Sequence, residues 1–397
     1  MQLFDEIMRK LLFLSAVLGA YLTYAQSPLT TSDFELYGDH VFVKLSVDDS
    51  EPLDFIFDTG DVLTVIDMDV AEKLNLPINH KETATSAQGS ISGALIKHNK
   101  LEINDLVLEK NIKVYATDLD HLEISIGRNI DGIVGYEMLH HHVVRLDYDA
   151  MKLEVYDSGS YPKRGEELVF KFHHTVPTVE ATIMLNNGES LTGSYYVNTG
   201  AGTTVDFNTP YANTNGIIDK TGEHYSYLVK GLGAKETRHY EGRVKTFTFG
   251  AYTISELPIG ISQVTTGIQG EKKVAGIIGN KLMNRFNVLF DYKTHRMYLE
   301  KNSNYDATYA VNCSGLDVQL SKDMSKVLIH QVFEGTEAAS KGIQVNDELV
   351  SINGQSAAQL GLPAVEKMLK SSGNSVNLTI SSGGSTKNVS LSLKSLL

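Results

Sequence analysis

Thiols are nearly missing from this chain, whose 397 residues hold one cysteine, Cys313. That excludes an internal disulfide framework and any cysteine-built zinc or iron–sulfur cage. Positive charge is also short, with 35 Lys and Arg against 48 Asp and Glu and a formal net charge of −13. A protein that tracks phosphates needs a basic face, so neither nucleic acid nor an anionic membrane surface is the expected partner. Tryptophan is absent, but 19 Tyr and 14 Phe supply aromatic bulk. Hydrophobic residues make up 42% and charged residues 21%, enough for a packed core and unlike a disordered chain. At roughly 100 to 200 residues per domain, the length asks for two or three domains.

Leu11 to Ala25 is an apolar run preceded by Arg9 and Lys10 and closed by Thr23-Tyr24-Ala25. Small residues at −3 and −1 mark an export signal cut between Ala25 and Gln26. The run is shorter than the about 20 apolar residues of a membrane span, so no span is expected after cleavage. An exported chain without disulfides suits a bacterial periplasm or cell surface.

The remainder contains a duplication. Asp131–Asp157 and Ala275–Lys301 align without gaps, sharing Gly132/Gly276, Ile133/Ile277, Gly135/Gly279, Val144/Val288, Asp147/Asp291 and Tyr148/Tyr292. Upstream of each stands a second matched piece, FIFDTGDVLTV from Phe55 and YYVNTGAGTTV from Tyr195. The spacing from Asp58 to Gly135 is 77 residues, and from Asn198 to Gly279 it is 81. Two lobes of one design follow. Each reads mostly as strand, with a helix expected over Asp67–Leu76 and hairpins at Val143–Tyr156 and Val288–Leu299. Ser158–Gly165 is the natural connector. The divisions are 1–25 for the signal, 26–160 for lobe one, 161–304 for lobe two and 305–397 for a small α+β domain.

A carboxylate at the end of a buried strand, followed at once by Thr-Gly, is an expensive place for a charge. Gly60 allows a tight turn whose amides, with Thr59, can orient Asp58. Recurrence as Asn198-Thr199-Gly200, each copy followed downstream by an apolar-apolar-Gly element, makes the pattern specific.

On these motifs residues 33–301 resemble the retropepsin-like aspartic proteases, with both lobes in one chain as in pepsin. The resemblance implies a mainly β, bilobed double-ψ β-barrel fold with an interlobe cleft for peptide or protein substrate, no cofactor and no metal. It assigns the catalytic positions to Asp58 and Asn198 and the active-site loops to Thr59, Gly60, Asp61, Thr199, Gly200 and Ala201. Two departures matter: the second catalytic Asp of the family is Asn198, and Asp61 stands where a small residue is expected. Paired carboxylates work by sharing a proton, and an amide cannot shuttle one. Attenuated proteolysis is therefore expected, with a non-catalytic, peptide-binding pseudoprotease as the alternative. A further rival completes the dyad between two chains, Asp58 against Asp58. Asp61 is either a substitute carboxylate or a neighbour that raises the pKa of Asp58.

Gln88–Lys97 reads as a strand-turn-strand flap, with Gly89, Ser90, Ile91, Ser92 and Gly93 at its tip. Tyr225–Gly242 is its counterpart in lobe two. His140-His141-His142 and His173-His174 read as solvated histidines, because no carboxylate stands at ligand spacing. Residues 313–397 resemble a PDZ domain of the bacterial protease-associated type through Gly315-Leu316, Gly335-Thr336, Gly342-Ile343, Asp347 and Ile352-Asn353-Gly354. The resemblance implies capture of protein C-termini by β-augmentation along Gly315, Leu316, Asp317 and Val318, facing a helix with Val365, Met368 and Leu369. The chain's own Ser395-Leu396-Leu397 is a candidate ligand for a neighbouring copy.

Overall fold

A computed structural model describes residues 27–397 except 79, 80, 88 and 234, so the expected export signal lies outside the described residues. Runs of β-branched and aromatic residues form strands throughout, and each lobe builds the same crossing. In lobe one Leu53–Phe57 runs parallel to Gly132–Val134, with Val65–Asp67 antiparallel on the far side. Lobe two repeats this with Ser190–Asn198 beside Gly276–Gly279 and with Val205–Phe207. The duplicated sequence pieces are thus the duplicated crossings. Each Thr-Gly turn leaves the end of a central strand whose apolar residues are buried, Phe55 and Phe57 in one lobe, Tyr195 and Val197 in the other.

Hairpins from both lobes join into one sheet where Val143–Asp147 pairs with Phe286–Asp291, Leu146 opposite Val288. One apolar core runs through the two lobes, and the C-terminal domain has its own. The structure is mainly β and bilobed, as the motifs imply. The expected helix is present but shorter, Met68–Lys73, capped by Asp67 through the amides of Asp69 and Val70. It stops early because Asn75 takes a left-handed φ of 56°.

The flap needs correction. Lys81–Ser86 and Gly89–Ile103 form the hairpin, so the turn lies at 86–89 and Gly89–Gly93 is the outgoing strand. Gly93 does not turn the chain. It admits close packing, because a Cβ there would collide with the Tyr115 ring and the Ala116 carbonyl.

The C-terminal domain holds Leu316–Leu320, Val327–Val332, Glu348–Ile352, Ser375–Ser382 and Ser385–Ser392 in one sheet, with the helix Leu362–Leu369 packed on it. Among the described residues no helix is long and apolar enough to cross a membrane.

Candidate active site

The two Thr-Gly turns meet at the lobe interface and lock each other. The Thr59 amide donates to Thr199 Oγ1 at 3.0 Å and the Thr199 amide to Thr59 Oγ1 at 3.1 Å. Each hydroxyl then donates across the interface, Thr59 to the Val197 carbonyl at 2.7 Å and Thr199 to the Phe57 carbonyl at 3.0 Å. Both threonines are buried, so these four bonds are made away from water and fix the relative position of the loops.

Asp58 Oδ1 accepts from the Gly60 amide of its own turn at 2.7 Å and from the Gly200 amide of the opposite turn at 3.2 Å. The carboxyl lies directly over Gly200, where any Cβ would collide with it. Asn198 lies in the same way over Gly60. Its Oδ1 accepts from the Ala201 amide at 2.9 Å, which leaves the amide nitrogen as the group turned toward Gly60 and the Asp58 loop. The place opposite Asp58 is therefore filled by the same chain, and the intermolecular dyad falls.

Burial pushes Asp58 up to about 6, against the pull of the Gly60 and Gly200 amides. Asp61 is raised well above the carboxylate range, first by burial and then by Glu137 and Asp58. One of its oxygens, Oδ2, is buried without a hydrogen-bond partner, while Oδ1 accepts from the Leu63 amide at 3.4 Å. Burial and the neighbouring carboxylates thus favour the protonated form of Asp61.

Sequence reasoning missed three residues of this neighbourhood. Glu137 takes the Thr64 amide and hydroxyl at 3.0 and 2.9 Å, and burial raises its pKa. The Tyr292 hydroxyl donates to the Thr59 carbonyl at 3.3 Å, and burial followed by the charge of Asp58 raises it far above an ordinary phenol. His40 is buried with its Nδ1 unpartnered, and burial lowers its pKa. The pairing of Tyr148 with Tyr292 was visible in the repeat, but the two do different work: the Tyr148 hydroxyl goes to Asn280 Oδ1 at 2.6 Å.

Lobe two closes on the flap. The Gln269 amide donates to the Ala87 carbonyl at 3.0 Å, and Gly231 and Leu232, in the counterpart hairpin of Tyr225–Lys230 and Glu236–Phe249, reach lobe one. There Leu232 packs on the apolar cluster that includes Phe42, Ile56, Leu119 and Leu122, and His121 Nε2 lies 3.0 Å from the Gly231 carbonyl.

In the C-terminal domain the expected peptide groove is already satisfied. The Gly315 amide donates to Asn312 Oδ1 at 2.9 Å and the Leu316 amide to Ser314 Oγ at 3.2 Å, so neither is open to a carboxylate. Leu316, Val318, Val365 and Leu369 are core residues, Met368 packs against them, and Asp317 bonds His330 at 2.9 Å. The helix Asp120–Ile126 of lobe one lies against Leu316–Leu320. Gln331 bonds Ser226 and Leu228 of the lobe-two hairpin at 3.1 and 3.0 Å, and Phe333 stacks on Tyr225. The chain's tail is tied down as well, with the Leu396 amide on the Asn312 carbonyl.

A bilobed β protein whose paired Thr-Gly turns interlock beneath a flap has the architecture of the two-lobed aspartic proteases. In agreement, residues 43–138 match the family described as aspartyl protease, and residues 310–381 match the PDZ domain. The chain thus contains an aspartyl protease-like segment in lobe one and, C-terminal to both lobes, a PDZ-like domain. It is similar to the carboxy-terminal processing protease CtpB of Bacillus subtilis (strain 168), 29% identical over 103 residues, which is 25% of this chain and 22% of that protein. Among solved structures, the aspartic proteinase from Irpex lacteus superposes with a TM-score of 0.45 at 13% identity, covering 70% of this chain and 99% of that one.

Proposed function

We propose that this chain is an exported endopeptidase-like protein that takes an extended peptide into the interlobe cleft and cleaves it slowly with one carboxylate. Asp58 is the general base. It withdraws a proton from a water that attacks the scissile carbonyl, and returns that proton to the departing amine as the C–N bond breaks. The Asn198 amide donates a hydrogen bond to the oxygen that becomes negative in the intermediate, but transfers no proton to it. Loss of that transfer costs about 10²- to 10⁴-fold in rate, which is the attenuation. The observation that carries this reading is the placement of Asp58 over Gly200 and Asn198 over Gly60, each side chain on the other lobe's turn. The name of the CtpB relative, a processing protease, also favours proteolysis. The PDZ domain serves in this reading as a brace across both lobes. The reading of binding without turnover is favoured by Asn198 and by Leu232, which occupies an apolar patch of lobe one.

The test is cleavage of a mixed extended-peptide library from pH 3 to 8. The native chain should cleave slowly, and Asp58→Asn should cleave not at all. Equal cleavage by native and Asp58→Asn refutes the role of Asp58, and no cleavage by either leaves binding without turnover.

A further inference from the structure

The histidines that looked solvated in the sequence are not all alike. His140 stacks on Tyr136, and His141 Nε2 pairs with Glu109 at 2.6 Å, an ordinary surface ion pair. His173 and His174 differ because the fold brings a carboxylate to them from 97 residues away. They sit at the turn between Lys171–His173 and Val176–Met184, and Glu271 follows the short 3₁₀ turn Ile268–Gly270. Glu271 Oε2 lies 3.7 Å from His173 Nδ1, and Glu271 Oε1 lies 3.4 Å from His174 Nε2. One donor atom from each residue falls within 4.8 Å of the other two.

We infer that His173, His174 and Glu271 form a binding site for a divalent cation of the zinc class. Ligands at 2.0–2.1 Å from a tetrahedral ion stand about 3.3 Å from one another, so a donor set lying within 4.8 Å closes by no more than about 1.5 Å, a movement that the exposed turn carrying His174 allows. Two imidazole nitrogens and one carboxylate are borderline donors, suited to Zn²⁺ rather than to the all-oxygen shells of Mg²⁺ or Ca²⁺. Tyr196 supplies a second layer: its hydroxyl bonds His173 Nδ1 and lies 3.3 Å from Glu271 Oε2. An ion entering would take over the His173 nitrogen and leave the phenol on the carboxylate or at the open fourth position.

The turn geometry adds to this. His174 and Thr175 both hold left-handed φ values, 51° and 66°, where Asn or Gly is the low-cost choice. Lys273 acts on His173 and opposes a cation, so the site is weaker than a closed four-ligand one. A bound ion would clamp Glu271, two residues from Gln269, whose amide holds the flap carbonyl of Ala87. The cation would thus stiffen the surface that receives the flap, apart from Asp58 and its chemistry.

The experiment is calorimetric titration of the full chain, freed of metal by a chelator, with ZnCl₂ and separately with MgCl₂. Expected is one equivalent of Zn²⁺ with Kd of about 1–10 μM or below, and no saturable Mg²⁺. His174→Ala and Glu271→Gln should each weaken Zn²⁺ by about 30-fold or more, while His141→Ala should leave it unchanged. His174 is exposed at a turn, so its loss does not threaten folding. Co²⁺ in place of Zn²⁺ should give the intense visible bands of a tetrahedral ion in the native chain and lose them in Glu271→Gln. Absence of saturable Zn²⁺ binding, native affinity retained in His174→Ala and Glu271→Gln, or loss on His141→Ala alone would each overturn the site.

Discussion

A carboxyl group held at 3.4 Å from one amide, with its other oxygen buried and unpartnered, is stable only while it is neutral. That describes Asp61, and its effect on stability has a definite sign. A carboxyl whose folded pKa is raised binds its proton more tightly in the native state, so its contribution is full below the unfolded value near 4. It is lost as pH rises through the folded value. Asp61→Asn removes the ionisation, so the melting temperature of the variant relative to the native chain should climb as pH is raised above about 4. A gap that stays constant over that range would show that Asp61 does not titrate as its burial demands. The same sign holds for Asp58, raised to about 6, whose ionisation costs no more than about 3 kcal/mol at neutral pH. At this scale the sequence was legible where it repeated itself: Asp58 and Asn198 stood out because each ended a matched strand. Glu137 and Tyr292 did not, because they reach the turns from 73 and 233 residues away and no local pattern records that.

The reciprocal threonine bonds are an element-scale device, since each hydroxyl satisfies the opposite turn's amide and the opposite strand's carbonyl. Removing one leaves buried groups unpaired on both lobes. Thr59→Ala or Thr199→Ala should each cost about 1–3 kcal/mol in chemical denaturation. The double variant should cost less than the sum by about 0.5 kcal/mol or more, because the second loss strands fewer groups. Additive effects would mean that the two threonines act independently. Strand positions at this scale were well read from the sequence: the hairpins after Gly135 and Gly279 differ from the expected ones only at their ends. The flap turn was misplaced because glycine was taken as a turn signal at 89–93, whereas Gly93 is required by the Tyr115 ring packed on it.

Three units are held together by contacts that no motif announces. Helix Asp120–Ile126 lies on the PDZ strand, Gln331 bonds the lobe-two hairpin, and Lys230 reaches Gln319 at 3.3 Å. The resemblance to PDZ domains was plain in the sequence, but the occupation of its carboxylate loop by Asn312 and Ser314 depends on local side-chain geometry. A peptide ending in Ser-Leu-Leu should therefore bind the full chain no better as free acid than as carboxamide in a fluorescence titration. A preference for the acid of about tenfold or more would show that the loop opens. Activity belongs to the whole molecule, because the two lobes must present Asp58 and Asn198 together. The most direct measurement is the pH dependence of peptide cleavage for the native chain and for Asn198→Asp. With one carboxylate, native turnover should rise about tenfold per pH unit up to the Asp58 value near 6 and then level off. With two, a shared proton is restored, so Asn198→Asp should be about 10²-fold faster or more, with a bell-shaped profile shifted to lower pH. An Asn198→Asp chain no faster than the native one, with the same profile, would contradict the single-carboxylate account.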